Sequence, residues 1–581
     1  MADTVQLSDQ FLLASSMKHE PEVHVSKSKR VVTVDDQHQS YQSGLVTIDS
    51  SNNLNGSRGF ASLREAYLTI PYIITAKSTA TGASAASIGN LKRFALGLKA
   101  GVWNVISDLE VELNGKSVLT TTEYKSFWAN LRAQTEMSMA DVYKHGAETL
   151  AYPDDWFSTN FSSVASGNGD GFGNNGCLPA TTLDATLGQA QESRSFNSGL
   201  FQRLLTTPMP VDTTTHDANG WPTLVKGAGA QIAQQHGRGC WVETTLVTPG
   251  SIAGHWIYML KIRLSDLHPL FKEIDLMSNP QIKLRYRVNC GTTSISGTTS
   301  SMKLDQTVMT SGTVCPIMFA SASSGEPMNG VCAENSQLSV SFGVLQNAFA
   351  SIADISQYIP YSSTRLNIPF YDLVDPRPII SKPVKTVRFL DCHAQYYRGQ
   401  AGTGVSTQQQ NAPFNFQLSS SHKNIKYVAL IPFSETSSGH FETANKTEQF
   451  QSPFDAAPWT CQVGSSVRNF QVTLGNQTVF SKTHEYDYEN FIDEFSKLGA
   501  INGDLSREMN NGLINIDQWT FANRVMIADC SRISQKDVPS AVQVSGVNSC
   551  SQGSNYLVLC VYERELTYDR LTGEVLEVSS S

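Results

Sequence analysis

The chain has 581 residues, of which only 16% are charged and 40% are hydrophobic. An ordinary soluble domain carries about 25% charged residues. Polar uncharged residues and Gly fill the deficit, which excludes both a charge-rich disordered chain and a coiled coil built on Lys, Glu and Ala. The formal net charge of −9 makes the whole chain a poor binder of nucleic acid by charge neutralisation. At roughly 150 residues per domain the length allows several small domains, or two all-β domains of about 200–250 residues each.

No signal peptide is visible at the start. The apolar cluster Phe11-Leu12-Leu13-Ala14 is short and lacks a basic segment before it. The ten cysteines, spread from Cys177 to Cys560 with no CxxC pair, then read as reduced, buried small residues of an intracellular product. The sequons at Asn55, Asn160, Asn445 and Asn476 read as unused. No apolar run approaches the ~20 residues that span a bilayer.

Residues 27–44 read KSKRVVTVDDQHQSYQSG. The opening Lys27-Ser28-Lys29-Arg30 fits a strand edge guarded by charge better than a nuclear-import or DNA-contact signal. Residues 66–72 read AYLTIPY, and residues 109–119 read LEVELNGKSVL. Asn114-Gly115 between two alternating runs is a strong hairpin signal, because both residues tolerate φ > 0. Gly115-Lys116-Ser117 is no phosphate loop, since Glu110 stands where that loop needs glycine.

A long excursion rich in Gly, Asn, Ser and Thr follows at 151–239, and a second polar stretch at 291–325. Loops this long are usually functional surfaces. Within the first, residues 171–176 match GxGxxG, but no strand precedes them and Pro179 follows, so a dinucleotide site is not expected. Between the excursions, Ile282, Leu284, Tyr286 and Val288 alternate with Lys283, Arg285 and Arg287, which predicts a strand with one wet face. Asp375-Pro376-Arg377-Pro378 is a stiff connector.

Beyond it the pattern starts again. Residues 427–433, YVALIPF, repeat 66–72 at an offset of 361. Residues 470–480, FQVTLGNQTVF, repeat 109–119 at the same offset, with Gly475-Asn476 at the turn. Residues 382–399, KPVKTVRFLDCHAQYYRG, match 27–44 at an offset of 355, pairing Asp36, His38, Tyr41 and Gly44 with Asp391, His393, Tyr396 and Gly399. Three matches in one order imply a tandem duplication. Helices are few. The clearest covers 486–498, with Tyr488, Phe491, Ile492, Phe495 and Leu498 at helical spacing and Gly499 as its cap. Its Asp487, Glu489, Asp493 and Glu494 read as a solvated face. Residues 556–561 are almost wholly apolar, as in a strand buried on both faces.

Little here suggests chemistry. No GxSxG, HExxH or EF-hand spacing occurs, and none of the twelve histidines forms the HxH of a metal-binding bicupin. In Asp391-Cys392-His393 the thiol and imidazole point to opposite faces of a strand and cannot easily share a proton. A strand end held by Asp36/Asp391 and His38/His393 is the preferred reading. No catalytic, cofactor or metal residues are expected.

Residues 262–288 (IRLSDLHPLFKEIDLMSNPQIKLRYRV), 358–369 (YIPYSSTRLNIP), 452–455 (SPFD) and 519–532 (WTFANRVMIADCSR) give the chain a resemblance. It resembles the double jelly-roll major capsid proteins of double-stranded DNA viruses, of polinton-like virus and virophage type. In the first of these stretches Leu264, Asp266, Leu267, Phe271 and Asn279 carry the match. The resemblance covers most of the chain from Val23 onward and implies an all-β fold of two tandem eight-stranded jelly-roll sandwiches. It implies an N-terminal arm at 1–22, a first roll at 23–360 with insertions at about 151–239 and 291–325, a linker at 361–380 and a second roll at 381–581. It further implies a non-enzymatic homotrimer. The trimer would form a pseudo-hexagonal capsomer that tiles an icosahedral shell with neighbouring capsomers and with penton and minor capsid proteins. The protein would sit in the virion after assembly inside the host cell, with no cofactor, no sequence-specific nucleic acid and no membrane span. Two other classes stand beside this one. A β-sandwich lectin or adhesin would stack sugars on Trp156, Phe157 and Trp221, and a hydrolase would depend on His393.

Overall fold

A computed structural model describes residues 26–36, 44–54, 58–78, 86–87, 94–120, 124–153, 203, 240–242, 246–247, 252–297, 302–304, 316–321, 337–344, 363–400, 412–418, 422–434, 467–482, 485–499, 512–516, 519, 524–533, 538–548 and 554–579. Where polar and apolar residues alternate, pleated strands bury one face, as Ile282–Val288 does at every second residue. Eight of the strands described in the first part of the chain make up one sandwich. They are β1 (Ser26–Asp35), β2 (Leu45–Asp49), β3 (Tyr67–Ser78), β4 (Ile106–Leu113), β5 (Lys116–Leu119), β6 (Ile252–Arg263), β7 (Ile282–Val288) and β8 (Arg365–Leu373). They pair antiparallel in two sheets, β1-β8-β3-β6 and β2-β7-β4-β5.

The second part repeats this order. Its strands are β9 (Val384–Gln400), β10 (Ala412–Leu418), β11 (Ile425–Ser434), β12 (Val467–Leu474), β13 (Gln477–Thr478), β14 (Met526–Asp529), β15 (Val542–Asn548) and β16 (Ser554–Asp569). The sheets are β9-β16-β11-β14 and β10-β15-β12-β13. Adding eight to each strand number of the first part gives the second. This pairing of strands from opposite ends of each half is the jelly-roll topology, so the chain is two jelly-roll sandwiches in tandem.

The register supports one duplication. β4 and β12 lie 361 residues apart at both ends, and so do the first residues of β5 and β13. β7 and β15 lie 260 apart at both ends, so roll one carries 101 residues more than roll two between the β4–β5 hairpin and β7. Two helices follow the hairpin in roll one, α1 (Lys125–Glu136) and α2 (Met139–Thr149), the second opened by Ser138 and Asp141 in a capping box. The helix expected at 486–498 runs as α3 (Tyr488–Gly499), with Gly499 its last residue rather than the one beyond it.

Four readings need correction. The expected linker at 361–380 contains β8, which completes the first sheet of roll one against β1 and β3, so the true connector is residues 374–383. The polar stretch 291–325 is not all loop. Gly291–Gly297, Met302–Leu304 and Ile317–Ser321 are strands, and Gly291–Gly297 widens the first sheet by way of Gln337–Val344 beside β3. Asp36 and Asp391 occupy different places. Asp36 follows the end of β1 and holds the start of β8 through the N–H and Oγ1 of Thr364, at 2.9 and 2.7 Å. Asp391 sits in mid-strand opposite Tyr562, because β9 has 17 residues where β1 has 10. Finally, Glu494 is not on the wet face of α3. It is buried and accepts the backbone N–H of Asp529 at 2.8 Å.

Each sandwich closes on an apolar core, and the cores are interlocked. The core of roll one takes in Val387, Phe389, Leu566, Tyr568 and Val575 from roll two. The core of roll two takes in Phe127, Trp128 and Leu131 from α1 of roll one.

Candidate functional site

The most elaborate contact in the molecule is this junction. On the side of roll one it is made by α1, by residues 264–279 between β6 and β7, and by the β4–β5 turn. On the side of roll two it is made by β9, by Tyr427 of β11, by the last half of β16 with the turn that follows it, and by α3 and Leu513, whose N–H donates to the Gln134 carbonyl of α1 at 2.8 Å.

Every residue of α1 from Phe127 to Gln134 is buried. Ala129 and Ala133 pack into the core of roll one, and Asn130 Oδ1 accepts from Trp103 Nε1 at 2.6 Å. The opposite face carries Phe127, Trp128 and Leu131 into roll two, where Trp128 Nε1 donates to the Tyr427 hydroxyl at 3.2 Å. Burial pushes the Tyr427 hydroxyl far above its ordinary range, so it stays protonated. Tyr124 meets Tyr396 with ring centroids 5.5 Å apart.

Beside Trp128 lies a buried charged cluster. Asp391 Oδ2 accepts from Arg564 Nη1 at 3.0 Å, and Oδ1 accepts from the Cys392 N–H at 2.8 Å. His268 of roll one reaches Oδ1 at 3.3 Å through Nε2, while its Nδ1 accepts the Leu270 N–H at 3.1 Å. That second bond fixes the tautomer, so Nε2 carries the proton that Asp391 receives. His268 also packs edge-on against Trp128 and Phe389. A carboxylate drawn out of water costs several kcal/mol unless it is paired and hydrogen-bonded. Here Arg564 supplies the ion pair from within roll two and His268 adds a hydrogen bond from roll one, so the cluster ties the two rolls together.

Further out, Asp275 of roll one pairs with Lys385 and with Arg570, the latter at 3.6 Å, and its N–H donates to the Tyr568 hydroxyl at 2.9 Å. Lys116 Nζ donates to the Val575 carbonyl at 2.6 Å, and Asn114 Nδ2 to the Thr572 carbonyl at 3.3 Å. Gly573, at φ +75°, fits against Asn114. A Cβ there would lie 2.5 Å from Asn114 Nδ2 and 3.0 Å from the Asn279 carbonyl.

Asp391 meets roll one through His268, whereas Cys392 and His393 pack with groups of roll two, and the three are not in a catalytic arrangement with one another. Cys392 is buried in the core of roll two. The ring of His393 lies 5.1 Å from that of His422, which stacks on Tyr562 at 4.3 Å. Burial first, and then the charge of nearby His393, push His422 down to about 4, against the smaller opposing pull of Asp391. The thiols of Cys530 and Cys560 are buried and free, and burial pushes Cys560 up to about 12. Among the described residues no group of three or more His, Cys, Asp or Glu is placed to hold a metal ion, and no helix is long and apolar enough to cross a membrane. Trp156, Phe157, Trp221, His38, Tyr41, the arm at 1–22 and the excursion at 154–202 and 204–239 lie outside the described residues.

Sequence reasoning missed α1 and the junction. Its signal was present, because α3 moved back by 361 residues falls on 127–138, across Phe127, Trp128 and Leu131.

No family model matches the chain, and none of the curated proteins does. Among solved structures it is similar to the Sputnik virophage structure from electron cryo-microscopy, at TM-score 0.48 and 11% identity over 97% of this chain and 90% of that one. It is similar to the mavirus major capsid protein at TM-score 0.44 and 9% identity, over 97% and 92%. It is similar to the Faustovirus major capsid protein at TM-score 0.41 and 8% identity, over 94% and 92%. The strand pairings, and not these likenesses, carry the fold assignment.

Proposed function

We propose that the protein is the major capsid protein of a double-stranded DNA virus, a non-enzymatic shell subunit whose function is geometry. The observation that carries this reading is the pair of jelly rolls locked side by side through a shared core. A buried charged cluster and an inserted helix serve one purpose here, which is to hold two sandwiches at a fixed angle. Three such chains set six sandwiches around one axis, as a pseudo-hexagonal capsomer that tiles an icosahedral shell. Residues 1–22 serve as an arm to neighbouring capsomers, and the long excursion of roll one serves as the outward surface. The sparse charge of the chain lowers the cost of desolvating large contacts.

Light scattering or mass photometry of the purified chain tests the reading. Three chains of 63.5 kDa give about 190 kDa, and negative-stain micrographs of that species should show particles of hexagonal outline. A chain that stays at 63.5 kDa at micromolar concentration overturns it.

A further inference from the structure

The junction within the chain is head-to-tail. Roll one presents its tail, meaning α1, residues 264–279 and the β4–β5 turn. Roll two presents its head, meaning the start of β9 and the end of β16. A contact of this kind always leaves a complementary tail and head unused, and it closes into a ring when the rotation allows. The unused tail is the outer part of roll two's tail, since one side of α3 already lies against α1, and the unused head belongs to roll one.

Both are exposed in the chain. At the offset of 361, Glu489 and Asp493 of α3 stand where α1 has Trp128 and Arg132, and both are exposed while those two are buried. The β12–β13 turn at Gly475 and Asn476 is likewise exposed, whereas the β4–β5 turn is bonded to roll two. On the unused head, residues 27–31 at the start of β1 are all exposed, and Val31 and Val374 are 48% and 45% exposed. In roll two the same end, at Val387 and Phe389, is buried against roll one.

The charges agree with this arrangement. In the internal junction an acidic group on the tail, Asp275, meets basic groups on the head, Lys385 and Arg570. The unused tail is acidic at Glu489 and Asp493, and the unused head is basic at Lys27, Lys29 and Arg30.

We infer that the α3 face bearing Glu489 and Asp493 docks on the start of β1, at Lys27 and Arg30, in a second copy of this chain, and that this contact closes the trimer. The inference rests on the capsomer reading and supplies its interface. Lys29 and Arg30 are already engaged within their own roll, Lys29 with Glu65 at 2.8 Å and Arg30 with the Arg58 carbonyl at 2.8 Å and the ring of Phe370, so Lys27 takes the larger part.

The test begins with the unaltered protein. A mixture of light and isotopically heavy chains is treated with a carbodiimide, which joins amines to carboxylates in contact. Mass spectrometry should find Lys27 joined to Glu489 or Asp493 in mixed light–heavy peptides. Charge reversal follows. Glu489→Lys with Asp493→Lys, or Lys27→Glu with Arg30→Glu, should weaken trimer association at least tenfold with an unchanged circular dichroism spectrum. The four changes in one chain should restore it. A trimer that forms with its cross-links elsewhere, and that neither reversal weakens, overturns this interface and leaves the capsomer reading standing. A chain that is monomeric before any change overturns both.

Discussion

Helices α1 and α3 hold the same place in the two rolls, yet residues 127–134 of α1 are all buried while α3 keeps Glu489 and Asp493 in water. Their inner faces do the same work. Asn130 and Ala133 face their own roll, as do Phe491 and Glu494, which stand 361 residues further on. The outer faces have diverged. One is aromatic where roll two covers it, and the other is charged where, among the described residues, Glu489 and Asp493 are exposed. A duplicated element thus reports its surroundings: the same backbone position takes Trp where the contact is obligatory and Glu where water still reaches it.

The largest effect should come from exchanging these environments. Trp128→Ala removes a fully buried aromatic from between the rolls and should cost about 3–5 kcal/mol. Glu489→Ala at the matching position should change the stability of the isolated chain by less than about 0.5 kcal/mol. Denaturant titration checks both. If the junction is what couples the rolls, Trp128→Ala should also split a single transition into two. Equal costs at the two positions would break the comparison.

Acid should sharpen it further, because roll two holds the buried His422 beside His393. His422 is held near 4 when folded, against an ordinary 6.5. The unfolded chain therefore takes up a proton near pH 6.5 that the folded chain refuses until about pH 4. Its contribution is complete above pH 6.5 and is lost as the pH falls from 6.5 toward 4, at up to about 1.4 kcal/mol per pH unit. Melting curves between pH 7 and 5 should slope downward, and His422→Asn should flatten that slope. A slope unchanged in the variant would remove His422 from the account.

How much of this was legible depends on which forces were local. The β4–β5 hairpin, β7 and the apolar run in β16 declare themselves through alternation and turn chemistry within a few residues. Their copies in roll two follow at a fixed offset. Helix α1 does not declare itself, because a helix covered on two sides lacks the one-sided stripe that marks an amphipathic helix. The junction was invisible for the same reason. Asp391, His268 and Arg564 are separated by 123 and 173 residues in the chain, and no local pattern ties a carboxylate to partners that far away. The match at offset 355 misled because residue identity aligned Asp36 with Asp391 while strand length placed them at different heights. β8 was lost to a linker because the sequence shows the break between copies and not the pairing of β8 with β1.

The smallest expected contrast lies between two glycines in turns. Gly573 and Gly475 both hold positive φ, at +75° and +57°, so a side chain at either incurs the left-handed backbone penalty of about 1 kcal/mol. Only one of them faces the other roll. A Cβ on Gly475 meets nothing within 4 Å, whereas one on Gly573 strikes Asn114 and the Asn279 carbonyl. Gly475→Ala should therefore cost about 1 kcal/mol and nothing more. Gly573→Ala should cost that and a further ~1 kcal/mol, because Asn114 must give way and weaken its bond to Thr572. The excess measures the junction alone, since the backbone term is common to both. It should shrink in an Asn114→Gly background, where only the Asn279 carbonyl at 3.0 Å remains in the way. An excess that survives there undiminished would show that the Asn114 side chain is not its source.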